Sequence, residues 1–307
     1  MKSKLSLLYL YCIFNTPRIT VQGELKTVVG LSCNNKQLIG HYEILENTEF
    51  VWQLPSSSIK GLVFLAHGCA HSSTDFWPLN SESCAKCIGL PVERAIVSEI
   101  LCRGYIPLAI SSSNREHKCW EEKDIERVAR VIRFICDKLR LPSDDTIPIY
   151  AIGASSGGSF VASFGAEAKK FGLKVRAIAV QIMSLHSIRY DIPPVVFVHM
   201  SRDKRMARHI ASVIPQLHAH GVVAKSYICG PKPITDTYFH EFGGVLTREE
   251  SQLFATALVK AGLVDPTSRL LLTDPLLESW IPVSASIYVL MLRGKHGYFI
   301  CTCGAVG

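Results

Sequence analysis

The chain has 307 residues, 48% of them hydrophobic, and 33 Lys and Arg against 26 Asp and Glu give a formal charge of +7. This length and apolar content suit one large α/β domain with an ample core, and they argue against extensive disorder, internal repeats or a linker-divided chain. The basic residues form no block interleaved with aromatics, so nucleic acid is not an expected partner.

Lys2 and Lys4 precede an apolar run from Leu5 to Phe14, in the manner of a secretory signal, but Thr16-Pro17-Arg18 follows where small residues would mark a cleavage site. A poor signal, an uncleaved anchor and a plain buried segment all fit residues 1–20. Membrane attachment through this segment is therefore an open expectation, and a secretory or endomembrane location is favoured over the cytoplasm. Tyr42 to Leu54 reads as an antiparallel lead-in hairpin. Gly61 to Ala66 is a buried-strand run ending at His67-Gly68-Cys69, and a long loop follows to Leu90, containing Trp77 and the pair Cys84-x-x-Cys87. In a parallel sheet such a loop emerges at the catalytic edge, where it would roof a pocket and select the substrate.

A helix is expected from Pro91 to Arg103 and a strand from Tyr105 to Ile110. The clearest helix is Glu121 to Arg140, where Ile125, Val128, Ile132, Ile135 and Leu139 make one apolar stripe. Acidic residues at its start and Lys138 and Arg140 at its end complement the helix dipole. After Leu141-Pro142 comes the apolar run Ile147 to Ile152, then strands over Val175 to Ile182, Pro194 to Met200 and Val222 to Ile228, and a helix from Arg248 to Ala261. Strands alternating with helices indicate a mostly parallel central sheet with helices on both faces, over residues 40–262. Residues 263–307 read as an irregular C-terminal tail. Within it, Trp280 to Leu292 is apolar but shorter than the roughly 20 residues of a membrane span.

The chemistry centres on Gly153-Ala154-Ser155-Ser156-Gly157. A strand that reverses sharply into a helix strains its central residue, and only small neighbours let the backbone pass. Ser155 is thus the candidate nucleophile, and the N–H groups at the start of the following helix can stabilise an oxyanion. A serine hydroxyl requires a histidine base and an acid to orient it. Asp203 follows the strand ending at Met200 and is the candidate acid, and His240 falls after the next strand as the candidate base. His296 is a rival, whereas His209, His218 and His220 suit a surface helix. Gly68 and Cys69, directly after a central strand, supply the other half of an oxyanion hole together with Ser156.

The set His67-Gly68, Gly153-Ala-Ser155-Ser-Gly157 and Asp203, in that strand order, resembles the α/β-hydrolase superfamily over roughly residues 40 to 262. The phrases His67-Gly-Cys-Ala-His71, Cys84-Ala-Lys-Cys-Ile-Gly-Leu-Pro91 and Val198-His-Met-Ser-Arg-Asp203 are similar to an uncharacterised plant-type branch of it. The resemblance implies an α/β-hydrolase fold and a serine hydrolase, with a small ester-like molecule as substrate and an acyl-enzyme as intermediate. The usual Gly-x-x-His context near the end is missing, so a truncated or alternatively spliced C-terminus lacking the base is a further expectation. The alternative is a non-catalytic binding protein or inactive isoform of the same fold.

Eleven cysteines is a high and odd count. The pair Cys84 and Cys87 reads as a local disulfide, two buried thiols or half of a zinc site, for which Cys69, His71 and Cys119 are conceivable further ligands without diagnostic spacing. No dinucleotide fingerprint, phosphate loop or strong metal cluster stands out, so no cofactor and no metal is expected. The oligomeric state is not legible.

Overall fold

A computed structural model describes residues 37–141, 147–185, 187–243 and 246–272. The proposed signal or anchor segment, Trp280 to Leu292, His296 and most of the C-terminal tail lie outside these residues. Eight strands form one sheet: β1 His41–Leu45, β2 Thr48–Trp52, β3 Gly61–Ala66, β4 Tyr105–Ile110, β5 Ile149–Ala154, β6 Val175–Gln181, β7 Val195–Met200 and β8 Ala224–Cys229, in the spatial order β1-β2-β4-β3-β5-β6-β7-β8. The lead-in strand β2 runs antiparallel to β1 and β4, while β3/β4, β3/β5, β5/β6 and β6/β7 pair in parallel. This is the strand order of the α/β-hydrolase fold.

The helices are α1 Pro91–Cys102, α2 Asp124–Lys138, α3 Ser156–Glu167, α4 Lys204–Ala219, α5 Tyr238–Gly243 and α6 Arg248–Lys260. Parallel neighbours require crossovers, and those crossovers are right-handed. The chain steps from β3 outward to β4 through α1, then returns across β3 to β5 through α2 and continues through α3 to β6. The reversal puts α1 on one face of the sheet and α2 and α3 on the other. It also opens a switch point between the C-terminal ends of β3 and β5, where doubly wound sheets bind their ligands.

The described residues divide into two compact units, residues 37–198 with 208–227 and residues 199–207 with 228–272. In the first, β3 is buried along its whole length, with Phe64 at 0% exposure. Phe64 meets Trp120, Phe160 and Phe164 edge-on, and Trp120 stacks on Phe160 at 4.3 Å. Aromatic pairs in these orientations add roughly 0.5–1.5 kcal/mol each beyond area burial. The apolar stripe expected for α2 faces inward, with Ile125, Val128, Ile132 and Ile135 buried. The helix begins three residues later than expected because Asp124 serves the preceding loop: its carboxylate accepts the N–H groups of Ser113 and Glu121 and pairs with Arg127. In the second unit, Ile234, Tyr238, Ala255, Leu258, Leu263, Val264 and Leu271 form a small core of their own. There α6 starts with a capping box between Thr247 and Glu250.

Candidate active site

Ser155 lies at the C-terminal end of β5 with φ 53° and ψ −118°. The positive φ is costly for a residue with a Cβ, and this ψ is outside even the small left-handed basin. The turn is fixed from both sides, since the Ser155 N–H donates to Gln181 of β6 at 3.0 Å and its carbonyl accepts the Ser159 N–H of α3 at 3.2 Å. The glycines allow the close approach. A methyl on Gly153 would sit 2.0 Å from the Gly157 carbonyl oxygen, and one on Gly157 would sit 2.4 Å and 2.5 Å from the carbonyl oxygens of Ala66 and His67. Helix α3 therefore starts hard against the ends of both β3 and β5. Its first N–H groups, that of Ser156 among them, have no partner inside the helix.

The loop after β3 runs alongside. Ala66 is in register with Gly153, so residues 67–69 leave the sheet beside residues 154–156. A methyl on Gly68 would lie 3.7 Å from the Ser155 Cβ and 3.7 Å from the Ala154 carbonyl oxygen, which puts this backbone next to Ser155. His67 holds the loop from inside: its Nε2 accepts the Ser112 N–H at 3.1 Å, its Nδ1–H donates to the Gly68 carbonyl at 2.7 Å, and its own carbonyl accepts the Trp120 indole N–H at 2.8 Å. These partners fix the neutral ring with its proton on Nδ1. Burial pushes its pKa down to about 4. His67 is thus a neutral brace of the loop. Cys69 is disulfide-bonded to Cys119, and the next N–H, of Ala70, donates to the His117 carbonyl at 2.9 Å.

A second pair on the same loop escaped the sequence reading as a unit. Nδ1 of His71 is 2.7 Å from Oδ2 of Asp75, whose side chain is buried. A methyl on Gly68 would also lie 3.7 Å from Cδ2 of His71. The available signal was the spacing His-x-x-x-Asp in the loop directly after β3, where Asp75 ends the short 3₁₀ turn Ser73–Asp75.

Asp203 and His240 both fall in the second unit. Asp203 caps α4, with Oδ1 accepting the Met206 N–H at 2.9 Å and its carbonyl accepting that of Ala207. His240 lies on α5, and its Nδ1 is 2.8 Å from the Leu246 carbonyl oxygen. Among the described residues no hydrogen bond joins the Asp203 carboxylate to the His240 ring. His218 and His220 bond to backbone carbonyls of Ala224 and Gln216, the latter ring stacking on Tyr190 at 3.5 Å.

Trp77 is fully buried and donates its indole N–H to Gln53 at 2.9 Å. The aromatic centre of the long loop is therefore core, held over β2 and Gly40, because an indole this large gains more from burial than from roofing a pocket. Cys84 and Cys87 form a disulfide, which removes two of the thiols that a zinc site would require, and the Cys69–Cys119 bond removes two more. Among the described residues no cluster of potential ligands could hold a metal ion, and no helix is long and apolar enough to cross a membrane.

No family model matches the chain and no curated protein matches it. Among solved structures it is similar to an α/β hydrolase from a Medee basin deep-sea metagenome library, with TM-score 0.46 and 11% identity over 73% of this chain and 96% of that one. A putative esterase from Staphylococcus aureus gives TM-score 0.45 and 11% identity over 64% and 76% of the two chains. A soluble variant of the monoglyceride lipase from Saccharomyces cerevisiae gives 0.42 and 10% over 65% and 88%. These superpositions are loose, and the fold stands on the strand order of the chain itself.

Proposed function

We propose that the chain is a serine hydrolase of carboxylic esters that works through an acyl-enzyme formed on Ser155, and that it is a relative of the plant-type α/β hydrolases. The observation that carries this reading is the backbone of Ser155, held at φ 53° between β5 and α3 at the switch point of the sheet. Strain of this kind costs roughly 1–3 kcal/mol and persists where the surroundings enforce it, typically at functional sites. Attack by Ser155 Oγ on an ester carbonyl moves the carbonyl electron pair onto oxygen. The N–H groups of Ser156 and of the Gly68–Cys69 loop are proposed to receive it, each donor being worth about 10²–10³ in turnover. A small ester-like molecule is the proposed substrate. Chain order puts forward Asp203 to orient a base and His240 to be that base.

The second reading, a binding protein that keeps the fold without a competent base, is favoured by the engagement of Asp203 in capping α4 and of His240 with the Leu246 carbonyl. Hydrolysis of short p-nitrophenyl esters by the full chain, abolished in Ser155→Ala, separates the two. Turnover that survives in Ser155→Ala contradicts the first reading, and wild-type turnover contradicts the second.

A further inference from the structure

The loop beside Ser155 is held by a covalent bond as well as by hydrogen bonds. The Gly68 carbonyl accepts the Nδ1–H of His67 at 2.7 Å and the backbone N–H of His71 at 3.3 Å, so one end of the Gly68–Cys69 peptide is fixed. In a trans peptide the N–H points away from the carbonyl, and among the described residues the Cys69 N–H donates to no other group. That leaves it available to a developing oxyanion. Beyond the peptide, the tie on Cys69 is its disulfide to Cys119, 50 residues along the chain. The segment around Cys119 has anchors of its own on the same loop: the His117 carbonyl accepts the Ala70 N–H at 2.9 Å, and the Trp120 indole donates to the His67 carbonyl at 2.8 Å. Cys69 and Cys119 are both partly exposed, whereas Cys84 and Cys87 are 2% and 1% exposed. Thiol–disulfide exchange requires a thiolate to reach a sulfur, so the bond on the oxyanion loop is the more accessible of these two.

We infer that the Cys69–Cys119 disulfide is a redox switch on the candidate active site: closed, it aligns the Cys69 N–H for the oxyanion, and open, it leaves the chain slow. The inference rests on Ser155 being the nucleophile and the Gly68–Cys69 loop an oxyanion donor. The reductant is a dithiol. One of its sulfurs, as thiolate, attacks a sulfur of the bridge; the Cys69–Cys119 bond breaks, a mixed disulfide forms, and the displaced cysteine leaves as a thiolate that takes up a proton. The second sulfur of the dithiol, deprotonated in turn, closes on the first and expels the other cysteine. Two electrons and two protons pass to the chain, and the dithiol ends as a disulfide. Once the bridge is open, the Gly68–Cys69 peptide keeps its carbonyl partners but pivots about them, so its N–H no longer holds one direction. A preorganised donor acts because it needs no realignment as charge develops, and losing one costs about 10²–10³ in turnover. The hydrogen bonds of Ala70 and Trp120 keep the two segments together meanwhile, so the effect falls on alignment and not on the fold.

The test is the rate at which the full chain reacts with a fluorophosphonate before and after dithiothreitol, with alkylation and peptide mass spectrometry reporting which cysteines are reduced. Opening Cys69–Cys119 slows the reaction at least about tenfold, a part of what a lost oxyanion donor costs, and re-oxidation restores it. The far-UV circular dichroism spectrum stays that of the oxidised chain. Cys119→Ala, which opens the bridge without a reductant, is slow by the same factor and does not respond to dithiothreitol. In hydrolysis of p-nitrophenyl esters the loss falls on kcat with KM within about threefold, as expected of an interaction made only in the transition state. A reduced bridge with the rate unchanged or raised overturns the inference, and so does further slowing of Cys119→Ala by dithiothreitol. Loss of the circular dichroism spectrum on reduction overturns it as well, because the bond is then a staple of the fold, and a bridge that stays oxidised until the chain unfolds does the same. Each of these results leaves the Ser155 reading standing so long as the oxidised wild type reacts. An oxidised wild-type chain that fails to react contradicts that reading itself.

Discussion

Replacing Ser155 by glycine should make the protein more stable as well as inactive, which is the opposite of what a well-packed serine would do. At φ 53° and ψ −118° the Cβ of residue 155 is held in a conformation that glycine adopts without cost. Relief of that strain contributes about 1–3 kcal/mol, and the greater freedom of glycine in the unfolded chain takes back roughly 0.4–1 kcal/mol. With both terms at the middle of their ranges the net gain is about 1–2 kcal/mol. For a cooperative unit of this size it raises Tm by about 2–8 °C. Ser155→Ala is the internal control, since it removes the hydroxyl but keeps the Cβ, and its Tm should stay close to wild type. Differential scanning calorimetry of the three proteins side by side gives the comparison. If Ser155→Gly melts at or below Ser155→Ala, the backbone at this position is not strained and the argument from geometry to nucleophile fails.

Gly153→Ala should be far more damaging than an ordinary surface substitution, because its methyl would sit 2.0 Å from a backbone oxygen that cannot swing aside; a loss of 3 kcal/mol or more, at the upper end of overpacking costs, is expected in urea titrations, and wild-type stability would mean the elbow is built differently. His67 is buried neutral with its pKa lowered to about 4 from an unfolded value near 6.5. The unfolded state therefore binds the extra proton first, so its contribution is intact above pH 6.5 and is lost as the pH falls toward 4, by about 3 kcal/mol in all. Wild type should lose stability over that window more steeply than His67→Gln, and parallel pH profiles would refute the assignment. Asp203→Ala should cost about 1 kcal/mol through loss of the α4 cap, whereas Asp203→Asn, itself a good cap, should cost little; equal losses in chemical denaturation would show that the cap is not what the side chain supplies.

The sheet was readable because each strand is a short apolar run closed by polar turns: Gly61 to Ala66 and Tyr105 to Ile110 fall where the pattern puts them. Helix α2 was readable from its stripe, apart from its first turn, since periodicity does not report that Asp124 is committed to the N–H groups of Ser113 and Glu121. Gly153, Ser155 and Gly157 were legible because sterics at a strand-to-helix reversal leave few residue choices. His67 was visible as a position but not as a brace, since its three partners, Gly68, Ser112 and Trp120, come together only through the tertiary fold. The burial of Trp77 was not legible for a related reason: a loop's length is written in the sequence, but the bond of its indole to Gln53 is not. The pairing of Cys69 with Cys119 spans 50 residues, and no local spacing encodes it. The His71–Asp75 pair is local, but spacing alone does not report that the two side chains meet at 2.7 Å.

The central claim is that Ser155 is an activated nucleophile, and the most direct measurement is intact-mass and peptide mass spectrometry of the full chain after exposure to a fluorophosphonate. The account predicts one adduct per chain, on the peptide containing Ser155, absent from Ser155→Ala and prevented by prior heat denaturation. An unmodified chain, or an adduct carried on another residue and retained in Ser155→Ala, would contradict it.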